Sequence, residues 1–133
     1  VTYDEHGGFA DHVSPPETGV PPPDSKVGRN GFKFDRLGVR VPAVVISPLI
    51  PAGTIERRAS RPFATSEYDG VSPIATANRV FGIDEYLSKR HSWSGTFDHI
   101  FSLDVPRTDH VLLAPHSRPS RAEFDAFRKR PLC

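Results

Sequence analysis

The sequence predicts an α/β fold that is rich in loops, on two observations. Strand and helix patterns occur together in one chain of 133 residues, with a core strand predicted over residues 39–48 and a helix over 72–82. The chain also contains 14 prolines, about twice the usual share of roughly 5%. Long loops supported by a small scaffold are therefore expected, and such loops commonly carry function.

The amino-terminal unit, residues 1–13, is predicted to be the end of a strand followed by a turn. Val1 to Tyr3 carry the strand pattern, and Gly7-Gly8 permits a sharp reversal because glycine tolerates positive φ. Prolines then make residues 14–31 a long Pro-rich loop.

The core strand over 39–48 is the strongest strand pattern. Residues 43–46 are continuously apolar, which is typical of a strand buried on both faces. Pro42 lacks an N–H group, so it is expected at the start of the strand or beside a bulge.

Local signals predict two helices. Ser72 can cap the helix over 72–82, Pro73 suits its first position, and Gly82 is placed to end it. Ser120 and Glu123 form a capping box that predicts a terminal helix over 120–129.

Charge and hydropathy exclude some classes of partner. The net charge is +1, from 17 basic and 16 acidic residues, which predicts no nucleic-acid partner. No apolar run approaches the roughly 18 residues of a transmembrane segment. The chain contains no Met, so we expect a fragment or a processed product, and the cellular compartment stays open.

Five ionisable side chains flank the Gly-Gly pair: Asp4, Glu5, His6, Asp11 and His12. Carboxylate and imidazole groups at a tight turn are the ligands that a divalent metal ion needs. The alternative is a polar turn in which Asp4 caps backbone N–H groups and the histidines face water. The residues alone leave both interpretations open.

Arginines outside this cluster also have two interpretations. Arg40 precedes the apolar run and could contact a phosphate group or form an ion pair that fixes the start of the strand. Arg57, Arg58 and Arg61 form a basic surface, which a weaker hypothesis assigns to acidic lipids.

Two motifs resemble those of a known family. The first is Asp-Glu-x-x-Gly-x-x-Asp-His-Val, matched by Asp4, Glu5, Gly8, Asp11, His12 and Val13. The second is Gly-x-Arg-Val-Pro before an apolar run and Ser-Pro, matched by Gly38, Arg40, Val41, Pro42, Ser47 and Pro48. Both, in this order, resemble the phosphoesterase family, which includes plant non-specific phospholipases C, bacterial phospholipases C and certain acid phosphatases.

The resemblance implies a fold, an activity and a set of site residues. The fold would be the carboxyl-terminal portion of an alkaline-phosphatase-like sandwich, with a mixed sheet and helices. The activity would be metal-dependent hydrolysis of phosphoric esters, with phospholipids first and phosphomonoesters second as substrates, and with peripheral contact at the membrane. Asp4 and Glu5 would bind one divalent metal ion of unidentified kind, His12 and Asp11 would be catalytic, and Arg40 would bind substrate.

The chain departs from the family pattern in two respects. The family's nucleophile resembles a Thr or Ser within a Thr-x-Pro-Asn-Arg run, which does not occur in these 133 residues. Gly70 stands where the family often has a histidine. The isolated chain is therefore expected to be inactive, and a truncated, non-catalytic remnant is the alternative to an enzyme.

Overall fold

The computed structural model describes residues 1–9, 11–109 and 120–129. Within these ranges the regular structure is helical, and irregular loops join the helices. The α-helices are α1 (Ser72–Phe81), α2 (Lys89–Trp93) and α3 (Arg121–Arg128), and short 3₁₀ turns lie at Arg29–Gly31 and Asp98–Ile100. The helices of the described ranges are all too short or too polar to span a lipid bilayer.

The amino-terminal segment pairs with the predicted core strand. Thr2 and Ala43 form an antiparallel bridge. The Val44 N–H donates to the Val1 carbonyl, and the Val1 amino group donates back to the Val44 carbonyl, each at 2.7 Å. The Thr2 hydroxyl adds a hydrogen bond to the Pro42 carbonyl at 2.9 Å. These contacts place the two sequence motifs side by side.

The expected mixed-sheet sandwich is wrong for the described residues, which contain this isolated bridge and no extended strand. The prediction that residues 43–46 are buried on both faces is also wrong, since Val44 is 57% exposed and Ile46 is 81% exposed. A strand in a sheet needs hydrogen-bonding neighbours along its length. Here the pairing stops after residues 1–2, and Pro42 and Pro48 have no N–H group to extend it.

The core combines a few apolar side chains with a larger polar set. The buried apolar residues are Val20, Ile50, Ala75, Trp93 and Ile100, and the buried polar residues are Ser66, Ser72, Thr76, Asn78, His91, Ser94 and Thr96. Hydrogen bonds offset the cost of burying such groups. The Ser66 hydroxyl donates to the Trp93 carbonyl at 2.6 Å, and the Thr76 hydroxyl accepts the Phe97 N–H at 3.1 Å.

Helix α1 begins with a cap that differs from the predicted one. Ser72 is the first helical residue rather than the N-cap. The Asp69 carboxylate accepts the N–H groups of Val71 and Ser72 at 2.9 and 3.1 Å, and the Ser72 hydroxyl accepts the Asp69 N–H at 3.0 Å. Gly82 adopts a left-handed conformation and ends the helix, as this type of cap requires.

Helix α3 has the predicted capping box. The Glu123 carboxylate accepts the Ser120 N–H at 2.7 Å, and the Ser120 hydroxyl accepts the Glu123 N–H at 3.2 Å. The Ser120 hydroxyl also donates to the Glu123 carboxylate at 2.7 Å. This hydrogen bond and the one from the Ser120 N–H lower the pKa of Glu123, because they favour its charged form. The cap satisfies backbone groups that the first turn of a helix leaves without partners.

Helix α2 attaches the Pro-rich loop to the rest of the chain. The Arg90 guanidinium donates to the carbonyls of Pro21, at 2.8 Å, and of Phe34. The Lys89 N–H donates to the Pro23 carbonyl at 3.2 Å. Proline carbonyls remain free to accept because proline lacks only the donor. One short helix therefore fixes both the loop and the segment that leads toward Arg40.

Candidate functional site

A tight turn follows the amino-terminal bridge and shapes the candidate site. Gly7 and Gly8 have φ of 66° and 79°, a left-handed conformation that glycine adopts without steric cost. The Phe9 N–H donates to the His6 carbonyl at 3.2 Å and closes the turn. The Gly8 N–H donates to Nδ1 of the His6 ring at 3.0 Å. The imidazole is therefore held by the backbone of its own turn.

The Asp4 and Glu5 side chains lie in a bend just before this turn. Both residues are exposed, and neither forms a hydrogen bond or ion pair within the part of the chain that the structure describes. The polar-turn interpretation required Asp4 to cap backbone N–H groups, and no such cap occurs among the described residues. The two carboxylates are thus free to accept a ligand from outside.

Asp11 forms a bidentate ion pair with Arg40. Arg40 Nε and Nη2 donate to the two Asp11 carboxylate oxygens at 2.7 and 2.8 Å. The Val13 N–H donates to the same carboxylate at 3.2 Å. The Asp11 side chain is only 13% exposed, and the hydrogen bonds from Arg40 hold its pKa well below its usual range. Asp11 therefore stays ionised and joins the two sequence motifs.

His12 lies at the surface beside this pair. Its ring Nδ1 is 3.3 Å from an Asp11 carboxylate oxygen, and its side chain is 89% exposed. Asp11 therefore contacts the His12 ring, as a residue that orients an imidazole would. The catalytic role assigned to His12 stays a prediction.

An open cleft of about 430 Å³ lies between the turn and the second motif. It is lined by His6, Phe9, Asp11, Val39, Arg40, Val41 and Pro42. The lining combines apolar side chains with the His6 imidazole and the Asp11–Arg40 ion pair. The family resemblance assigned no role to His6, whereas the structure places it in the lining of the cleft. The Gly-Gly pair was the signal that could have identified it, because such a turn exposes N–H groups to a preceding side chain.

Comparisons with known proteins support the resemblance. Residues 1–84 match the Phosphoesterase family, and this range includes both motifs. The chain belongs to the phosphoesterase family. Non-specific phospholipase C3 of Arabidopsis thaliana is 47% identical over 117 residues, which cover 86% of this chain and 22% of that protein. Non-specific phospholipase C6 of the same plant is 45% identical over 126 residues, which cover 92% of this chain and 24% of that protein.

A bacterial relative matches a shorter part of this phosphoesterase chain. Phospholipase C A of Mycobacterium tuberculosis is 45% identical over 58 residues, which cover 36% of the chain and 11% of that protein. The chain spans less than a quarter of the length of the curated plant relatives named above. The resemblance predicted from the two motifs is confirmed.

The described residues contain no group of three or more His, Cys, Asp or Glu side chains able to hold a metal ion. Asp4 and Glu5 nevertheless fit as two ligands of a larger set. Their carboxylates are exposed and free of partners among the described residues, and oxygen donors suit hard divalent ions.

The Asp11–Arg40 pair predicts a specific pH dependence of stability. The pKa of Asp11 is lower in the folded protein than the value of about 3.9 expected on unfolding. Its contribution is therefore fully present above the unfolded value and is lost as pH falls toward the folded one. We expect the difference in unfolding free energy between wild type and Asp11→Asn to be constant above about pH 5 and to shrink below about pH 4. Urea unfolding at several pH values measures it, and a difference that is equal at about pH 7 and 3 contradicts the assignment.

Proposed function

We propose that this chain forms part of a metal-dependent hydrolase that cleaves phosphoric esters, with phospholipase C-type cleavage of phospholipids as its reaction. The observation that carries the proposal is the state of Asp4 and Glu5. Both carboxylates are exposed and free of partners among the described residues, in the motif that this chain shares with its family. The plant relatives are named as phospholipases C, which favours phospholipids over other phosphate esters.

Asp4 and Glu5 are the residues of this chain that would hold the metal ion. The bend at these positions removes the alternation of a regular strand, in which adjacent side chains point to opposite faces. A bound divalent ion polarises a phosphoryl oxygen and neutralises negative charge that develops on it. Carboxylate ligands are compatible with Ca²⁺, Mn²⁺, Fe or Zn²⁺, so the proposal does not specify the metal.

The other site residues have supporting roles in this proposal. The Asp11–Arg40 pair fixes the turn against the second motif, which holds the carboxylates in place. Asp11 accepts one N–H from Nε and one from Nη2 of Arg40, so a contact between Arg40 and phosphate would use the remaining N–H groups of Nη1 and Nη2. His12 would bind a phosphate oxygen or protonate the leaving alkoxide. No residue of this chain is assigned as the nucleophile, because the Thr-x-Pro-Asn-Arg run is absent from it.

A substrate comparison on the full-length protein tests the proposal. We expect phosphatidylcholine vesicles to yield diacylglycerol and phosphocholine, a chelator to stop the reaction, and an added divalent ion to restore it. p-Nitrophenyl phosphate, a phosphomonoester, serves as the matched substrate. Turnover of the monoester alone would identify a phosphatase instead. Absence of turnover on both substrates, with each candidate metal, would favour the non-catalytic remnant.

A further inference from the structure

His6 is the imidazole that the structure places in the cleft, and its proton position is fixed. The Gly8 N–H donates to Nδ1 at 3.0 Å, and a backbone N–H can only donate. Nδ1 is therefore the acceptor nitrogen, which leaves Nε2 as the nitrogen that carries an N–H. The carbonyl of the same residue accepts the Phe9 N–H, so both ends of His6 are anchored by the turn.

The Nε2–H group of His6 has no hydrogen-bond partner within the described residues. The carboxylate that lines the same cleft, that of Asp11, already accepts hydrogen bonds from Arg40 and from the Val13 N–H. Among the described residues, the polar lining of the cleft therefore offers two donors, the Nε2–H group of His6 and the Arg40 N–H groups that Asp11 does not occupy. A ligand that pairs with these donors must present acceptor oxygens.

The apolar lining of the cleft limits the ligand further. It comprises Phe9, Val39, Val41 and Pro42, and Phe9 is 76% exposed. An oxyanion that also carries a carbon substituent satisfies both kinds of lining, because its oxygens meet donors and its carbon atoms meet apolar surface. A phosphate ester has this chemistry.

The geometry points to His6 as a substrate-binding residue that donates its Nε2–H to a non-bridging phosphate oxygen in this cleft. The inference rests on the proposed function for the identity of the ester. It distinguishes His6 from His12, whose side chain is 89% exposed and does not line the cleft.

Two substitutions separate the donor from the turn. His6→Asn keeps an acceptor near the position of Nδ1, so it can still receive the Gly8 N–H, but it has no donor at the position of Nε2. His6→Gln places an amide N–H close to the position of Nε2. His6→Gln has no acceptor at the position of Nδ1, so it loses the hydrogen bond from the Gly8 N–H. His6→Asn therefore keeps the turn contact and loses the phosphate contact, whereas His6→Gln keeps the phosphate contact and loses the turn contact.

Binding is measured by ³¹P NMR line broadening on the full-length protein, with inorganic phosphate and glycerophosphocholine as probes. We expect wild type to bind, His6→Asn to lose about tenfold to a hundredfold in affinity, and His6→Gln to lose less than about threefold. Tighter binding of glycerophosphocholine would identify the phosphodiester head group as the ligand, and tighter binding of phosphate would identify the free anion.

Three results would overturn the inference: no binding of either probe to wild type, equal binding by wild type and His6→Asn, or equal loss in both variants. Thermal unfolding of the variants shows whether the turn is intact. Binding is measured without turnover, so the two proposals can fail separately. If the protein is inactive but its variants show the expected order of affinities, the proposed function is wrong and the His6 contact with phosphate is still supported.

Discussion

Asp4→Asn and Glu5→Gln are each expected to lower phosphodiester hydrolysis by the full-length protein on the order of a thousandfold. Each change replaces the carboxylate of a proposed metal ligand with a neutral amide of the same shape. A bound metal ion contributes several kcal/mol to stabilising the transition state, and each 1.36 kcal/mol corresponds to a factor of about ten in rate. Initial rates of diacylglycerol release from phosphatidylcholine vesicles measure the effect.

Asp104→Asn is the matched control, because Asp104 is also an exposed aspartate in a bend but lies outside both motifs. Its rate should equal that of wild type. Asp4 and Glu5 are exposed and have no partners among the described residues, so their amide variants should unfold within about 0.5 kcal/mol of wild type. Retention of full activity by both variants would show that the ligand assignment is wrong.

Gly95→Ala is expected to produce the largest loss of stability, about 3 kcal/mol. A Cβ at this position would lie 2.4 Å from the Ala59 Cβ, 3.0 Å from a Tyr68 ring carbon and 3.1 Å from the Glu67 carbonyl oxygen. The Gly95 N–H also donates to that carbonyl at 2.8 Å. The backbone cannot move away from the clash without breaking this hydrogen bond. Urea unfolding monitored by circular dichroism measures the loss.

Gly70→Ala provides the control for the same chemical change. Nothing lies within 4 Å of a Cβ built on Gly70, and the residue is exposed. Its variant should be as stable as wild type or slightly more so, because alanine restricts the unfolded chain. Equal stability of the two alanine variants would contradict the close packing described around Gly95.

Helices α1 and α3 could be predicted from the sequence because their signals are local, whereas α2 was not predicted. Pro73 and Gly82 lie at the two ends of α1, and the Ser120–Glu123 box opens α3. The sheet could not be predicted correctly, because a strand depends on partners that are distant in sequence. An apolar run such as residues 43–46 indicates a tendency to pair, but the pairing found in the described residues is limited to a bridge with Thr2.

The candidate site shows the same division. Asp4 and Glu5 were recognised from one contiguous motif. For Arg40, the sequence left open a phosphate contact or an ion pair. The ion pair could be identified only when the structure placed Asp11, 29 residues away in the chain, beside Arg40. The place of His6 in the cleft required the left-handed turn at Gly7 and Gly8 together with the neighbouring second motif. The role of the two carboxylates therefore stays a prediction, and the arrangement around them could not be predicted from the sequence.

The central claim, that Asp4 and Glu5 bind a divalent metal ion, is tested most directly by anomalous diffraction from crystals of the full-length protein grown with Mn²⁺. The account predicts a manganese peak within about 2.0–2.6 Å of carboxylate oxygens from both residues. A manganese site formed by other residues, with both carboxylates more than about 4 Å from the ion, would contradict it.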